Sequence, residues 1–243
     1  WEGLYRRSGA FEFNPARHDF SRKILLGQSI EPRGFPEVEQ AVALITRQPA
    51  CARFISRQLA GYFVADDPPP ALVERMAQTF MRTDGDIAAV LRTLFLSREF
   101  DAALGGKFKD PMRFVVSAVR FAYDGRPVTN VKPMLNWLNN LGEAPFGHQT
   151  PDGYPITELN WASSGQMSRR FDIARAIGSG NAGLFETEDG SASAGGFPQL
   201  SNRLYFEAVE PFLLASTRNA LDRAASPQEW NTFLLASPDF SYE

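Results

Sequence analysis

Residues 139–175 hold the groups best suited to chemistry. After Leu141-Gly142, where a helix is expected to stop, a Pro- and Gly-rich loop carries His148, Gln149, Thr150, Asp152 and Tyr154, and Pro151 and Pro155 stiffen it. Glu158, Asn160 and Trp161 follow, and then Arg169-Arg170 on a helix. Polar, aromatic and charged side chains on a rigid loop are the usual material of a site. Read as a pocket, Asp152 or Glu158 would be the general acid or base, with His18 a third candidate from elsewhere in the chain. Trp161 would give a sugar or another flat group a stacking face, and Arg169 or Arg170 would offer a fork to a carboxylate or phosphate. His148, Gln149 and Tyr154 would complete the ligand-binding wall. Read as a clamp, the same block has Arg169 bonding loop carbonyls and Trp161 filling core. The residues leave both readings open.

Two smaller constellations stand outside the block. Arg17-His18-Asp19, with Lys23 nearby, has the makings of a general base with an orienting carboxylate, or of part of a metal site. Adjacent residues seldom point the same way, so a turn in which Asp19 bonds backbone N–H groups competes with that reading. Thr83-Asp84-Gly85-Asp86 has the look of a calcium loop, but Phe95 stands where the closing Glu of such a loop is needed. A helix start is expected instead, with Thr83 or Asp84 as N-cap and Asp86 in the first turn.

No nucleophile elbow, phosphate loop or dinucleotide fingerprint is present, and no cofactor is indicated. His18 and His148 do not form a His-Glu-x-x-His pattern, and Cys51 is the single cysteine, so neither an internal disulfide nor a Cys-based zinc site can form. No metal is therefore assigned. The net charge of −3 lacks the basic excess that nucleic acid or an anionic membrane surface would call for. No apolar run reaches the roughly 18 residues of a membrane helix. The opening Trp-Glu-Gly-Leu-Tyr-Arg-Arg has no apolar core of an export signal, and the chain reads as a processed or truncated piece, so that a signal could have stood upstream and been lost.

With 243 residues, 44% of them hydrophobic, the chain can bury an ample core as one large domain or two small ones. Residues 1–35 read as irregular or weakly β, with Phe11-Glu12-Phe13 pairing with Lys23-Ile24-Leu25-Leu26 around turn residues at 14–19. From Pro36 the pattern is helical. Apolar stripes are spaced for helices from Pro36, from Pro49, over 71–81, from Ile87 to Phe95, from Pro111 to Ala122, and over 130–141. A helix of about 20 residues ends near Gly178. Helices over 204–214, 217–224 and 227–236 complete the set. The expected architecture is mainly α, a multi-helix globular bundle with a short irregular or hairpin N-terminal segment. Residues 36–243 would form a single helical domain, with a mobile Gly/Ser-rich acidic loop near 178–197. Leu94–Phe100 and Leu234–Phe240 echo each other, each closing an apolar helix with Ser, an acid and Phe.

Several of these stretches together resemble one family. Pro15-Ala16-Arg17-His18-Asp19 with Lys23 and Leu26-Gly27, Arg53-Phe54-Ile55, Phe63-Val64, Thr83 to Ile87, the ending at Phe100, and Lys109-x-Pro111 are similar to the domain of unknown function 1800 family. So, most specifically, are Leu141-Gly142, Gln149 to Tyr154, Trp161 and Arg169-Arg170; Glu143 departs from the Gln common there. The resemblance implies a bacterial, often exported protein, periplasmic or extracellular. It carries over no catalytic residue. Family members are longer, and this chain corresponds to their C-terminal half. The N-terminal half of the same parent chain is then an expected partner, beside another exported protein or a saccharide. Two functions are consistent with this reading. One is a hydrolase acting on an extracytoplasmic polymer. The other is a non-catalytic scaffold or binding partner of another exported protein.

Overall fold

Proline and short polar side chains set where the helices begin. In the computed structural model, which describes residues 4–5, 11–186 and 197–243, Pro36 opens α1 (Pro36–Thr46), Pro49 opens α2 (Pro49–Phe63) and Pro70 opens α3 (Pro70–Arg82). At the first turn the missing proline N–H costs nothing and its fixed φ suits the helix. Asp86 caps α4 (Ile87–Phe95), accepting from Ala88 N at 2.9 Å and Ala89 N at 3.2 Å, so the cap falls later than Thr83 or Asp84. Ser97 separates α4 from α5 (Arg98–Ala103), its Oγ accepting from Phe100 N at 3.2 Å. Ser237 Oγ accepts from Phe240 N at 3.0 Å in the same way. The internal echo is thus a repeated serine cap.

Asp110 and Pro111 start α6 (Pro111–Tyr123), and α7 (Lys132–Asn140) carries Pro133 in its first turn. The helix expected to run about 20 residues to Gly178 is broken. α8 (Glu158–Trp161) stops, and Ser163 caps α9 (Ser164–Gly178). The stretch 204–214 is not one α-helix either. A π-helical turn at Tyr205–Val209 passes into a 3-10 turn at Glu210–Phe212, where Pro211 has no N–H to extend the ladder. α10 (Ala215–Asp222) and α11 (Pro227–Leu235) follow.

Ahead of the helices, β1 (Leu4–Tyr5) pairs antiparallel with β2 (Phe11–Glu12), and β3 (Lys23–Leu25) with β4 (Gln28–Ile30). The expected pairing of 11–13 with 23–26 does not form. Asn14 instead accepts from Ala16 N at 3.0 Å and caps a 3-10 turn at Pro15–Arg17. The chain reverses at Leu26-Gly27, both at positive φ (52° and 77°), as a two-residue hairpin turn requires. The protein is mainly α and globular, with short N-terminal strand pairs.

The chain divides into two compact units. The first is Trp1–Phe63 with Asp67–Ala102. In it α2 packs on α3 and α3 on α4, burying Ala52, Ala60, Leu72, Met76, Phe80, Val90 and Leu94. The second is Val64–Asp66 with Ala103–Glu243, where α6 packs on α7 and α9, and α11 on α9 and α10. Its core includes Phe114, Val115, Leu138, Leu141, Ile173, Ile177, Leu184, Leu200, Leu234 and Leu235. α9 and α11 meet closely at Gly178, where a Cβ would lie 3.0 Å from Asn231 Cβ and Thr232 N. Asn231 Nδ2 donates to Gly178 O at 3.0 Å and Pro198 O at 2.7 Å, tying down both flanks of the segment expected to be mobile. Most of that segment, 187–196, lies outside the described residues.

Candidate functional site

α7 ends in a Schellman motif. Gly142 takes φ +83°, its N–H donates to Asn139 O at 3.0 Å, and Glu143 N donates to Leu138 O at 2.9 Å. That turn aims Glu143 at the start of α6, where its Oε2 accepts from Met112 N at 2.8 Å. Asp110 Oδ1 accepts from Arg113 N at 2.7 Å in the same first turn. Two carboxylates thus share one helix N-terminus. Burial, and then the negative charge of Asp110, push the Glu143 carboxyl up to about 7, against the bond from Met112 and the pull of Arg113 and Arg170.

Arg170 is 2% exposed. Its Nη2 donates to Lys109 O at 2.7 Å, and its guanidinium lies 4.7 Å and 4.8 Å from the ring centroids of Phe108 and Phe114. Nε and Nη1 have no hydrogen-bond partner among the described residues. Burial lowers its pKa to about 10, opposed by Asp110 and Glu143. Lys109 is buried beside it. Its Nζ donates to Phe240 O at 2.7 Å and lies 4.0 Å over the Phe240 ring. Burial, and the charge of Arg170, hold that ammonium down at about 8, with Glu243 pulling the other way.

The loop ahead of α9 is tied to its own chain. Tyr154 OH donates to Ala144 O at 2.9 Å, and the buried Trp161 donates from Nε1 to Pro155 O at 2.7 Å. Lys107 Nζ bonds Asp66 and donates to Ile156 O at 2.8 Å, while Asp66 Oδ2 accepts from Glu158 N at 2.7 Å. Glu158 Oε1 accepts from Tyr242 OH at 2.7 Å. His148 Nδ1 lies 3.0 Å from Thr150 O and 3.9 Å from Asp152 Oδ1, and its ring meets Tyr154 edge-on at 4.8 Å. Asp152 is exposed, and its bond from the Thr150 hydroxyl lowers its pKa. Gln149 and Arg169 are exposed. Phe146, at φ +58°, stands fully clear of the loop.

The structure therefore brings His148, Asp152 and Tyr154 together, ties Trp161 and Glu158 to the chain around them, and sinks Arg170 into the core. His18 belongs to the first unit. Its Nε2 lies 2.9 Å from Glu37 Oε1, and Lys23 Nζ lies 2.8 Å from Glu37 Oε2. Gly34 N donates to Glu37 Oε1 at 2.8 Å, and Phe13 and Phe20 meet the His18 ring at 5.3 and 4.7 Å. The bonds from Lys23 and His18 bring the Glu37 carboxyl down to about 2. Asp19 accepts from Ser21 N at 2.8 Å and from the Ser21 hydroxyl at 2.7 Å.

Sequence reasoning passed over Glu37 and Lys107, and gave Lys109 and Glu143 a place in the family pattern but no role. Asp110-Pro111 signals the cap, but no pattern announces that the lysines before it are buried. Among the described residues, no group of three or more His, Cys, Asp or Glu is placed to hold a metal ion. No helix there is long and apolar enough to cross a membrane.

The chain belongs to the family described as Protein of unknown function (DUF1800), whose model matches residues 1–242. No curated protein and no solved structure matches it.

Proposed function

We propose that the chain is a non-catalytic binding protein whose 142–175 block is a rigid clamp presenting Phe146 to another exported protein. The observation that carries this reading is how the block spends its polar groups. Tyr154, Trp161 and Arg170 each donate to a carbonyl of their own chain, at 2.9, 2.7 and 2.7 Å. Groups so engaged hold a loop in place and leave little for a substrate. Phe146, by contrast, is a large apolar side chain held out in solvent, in a backbone conformation that bulky residues seldom adopt. Export to the periplasm or the extracellular space is part of this proposal. A photo-crosslinking phenylalanine analogue at position 146 tests it in cells. One discrete cross-linked partner is expected, whereas its absence contradicts the reading.

A second reading has one observation in its favour. His148, Thr150 and Asp152 meet on an exposed loop, with Gln149 and Arg169 also open to solvent. In a hydrolase acting on a saccharide polymer, Asp152, kept ionised by its Thr150 bond, would serve as base. Asp152→Asn would then abolish turnover of oligosaccharides at an unchanged melting temperature. Unaltered turnover would remove Asp152 from the mechanism.

A further inference from the structure

None of the pocket candidates of the 142–175 block lines a separate cleft in the second unit. That cleft, of about 660 Å³, is walled by Leu104, Val209, Phe212, Leu213, Leu214 and Phe240, with Lys109, Asp239 and Tyr242 as its charged and hydroxyl-bearing side chains. Its volume is in the range of small-molecule sites.

The polar groups differ in what they have left to offer. Asp239 is committed to the start of α10, accepting from Leu214 N at 3.0 Å and from the Thr217 hydroxyl. Tyr242 donates its hydroxyl proton to Glu158. Lys109 is different. Among the described residues its Nζ makes one hydrogen bond, to Phe240 O, of the three an ammonium can donate. Phe240, over whose ring that ammonium lies, is also a cleft wall. The site is an apolar trough with a single under-used cation, and Leu104, Phe212 and Leu214 stand exposed at its rim.

We infer that this cleft binds a free monocarboxylate with an unbranched alkyl chain, the chain lying on Val209, Phe212, Leu213 and Leu214 and the carboxylate accepting from Lys109 Nζ. Charge complementarity selects the occupant. A buried cation short of acceptors gains most from an anion, and the walls offer nothing to a polar body. The charged groups around Lys109 are Glu243, Arg170, Asp110 and Asp239. Arg170 is itself a cation, Asp239 is engaged at α10, Asp110 caps α6, and Glu243 Oε1 pairs with Arg113 Nη1 at 2.9 Å, so among the described residues no carboxylate hydrogen-bonds the ammonium. Because burial already holds that ammonium near 8, affinity for a carboxylate should fall as pH rises through that value.

Calorimetric titration of the full chain with decanoate, below its micelle-forming concentration, against decanol tests the proposal. One saturable decanoate site is expected, with decanol weaker by about tenfold or more, the worth of a charge-assisted hydrogen bond. Decanoate affinity should drop between pH 7 and pH 9, roughly spanning the Lys109 ionisation. Lys109→Met should bind the two ligands equally. Since that variant can fail to fold, Ala208→Trp provides a second test. Ala208 is an exposed residue lining the cleft, and the indole should fill the trough and abolish decanoate binding without lowering Tm. Absence of saturable binding, equal affinity for decanol, a flat pH profile, or Ala208→Trp binding decanoate normally would each overturn the inference.

Discussion

Glu37 and Glu143 sit in similar places and are driven in opposite directions. Both are held at a helix N-terminus and accept a backbone N–H, Glu37 from Gly34 before α1 and Glu143 from Met112 in α6. The helix dipole favours a negative charge at either. Yet one carboxyl is brought down to about 2 and the other pushed up to about 7. The difference lies in direct partners. Glu37 has Lys23 and His18 at 2.8 and 2.9 Å. Glu143 has a carboxylate neighbour, Asp110, while Arg170 spends its bonded nitrogen on Lys109 O. Desolvation acts on both, and a hydrogen-bonded cation decides which way the balance falls. Glu37 is thereby a fixed structural anion that holds the His18 segment to α1, whereas Glu143 is poised near neutrality beside the clamp.

The largest expected effect comes from Arg170. Arg170→Ala should cost about 3–5 kcal/mol of unfolding free energy in denaturant melts, because it opens a cavity between Phe108 and Phe114 and removes one of the two cations, Arg113 being the other, that act on Glu143. Arg170→Met, which keeps the volume and removes the orphaned Nε and Nη1, should cost much less. Equal losses would mean that charge, and not packing, is what Arg170 supplies.

Lys23→Met comes next. It should lower Tm by several degrees and make Glu37 behave more like Glu143, its titration moving upward. The sign of the pH dependence follows from the depressed pKa. The natural chain keeps the Glu37 contribution above about 4.5 and loses it as pH falls towards about 2, so Lys23→Met should unfold at a higher pH during acid titration.

Asp110→Asn tests the other side. Removing the like charge should lower the Glu143 pKa from about 7 towards the ordinary carboxylate value, read by carbon-13 NMR. The smallest effect belongs to Glu143→Gln. A raised carboxyl pKa means that the folded state holds its proton more tightly, so stability declines as pH rises from about 4.5 through about 7. Glu143→Gln should flatten that decline and gain below about 1 kcal/mol at pH 8, since the group is only half-buried and water screens it.

The legibility of the sequence follows the same contrast. Helix starts at Pro36, Pro49, Pro111 and Pro227 could be read directly, because the signal is local backbone chemistry. So could the stop at Gly142. The Leu26-Gly27 turn could not, since a leucine at positive φ is not a turn signature, and Asn14-Pro15 offered a more conventional hairpin. Ser163 is a good cap but sits inside an apparently continuous helical pattern, so the break between α8 and α9 was hidden. The electrostatic pairs were least legible. Glu37 lies in a helix read for its apolar stripe, and its burial depends on Lys23 and His18 from a different stretch. Lys109 and Arg170 are 61 residues apart and meet through a backbone carbonyl, which no spacing rule can anticipate.

Residue-resolved carbon-13 titration of the Glu37 and Glu143 side-chain carboxyls, in the full chain, tests the central comparison most directly. Glu37 is expected to titrate near 2 and Glu143 near 7. Two carboxyls titrating together at the ordinary glutamate value, or in the reverse order, would contradict it.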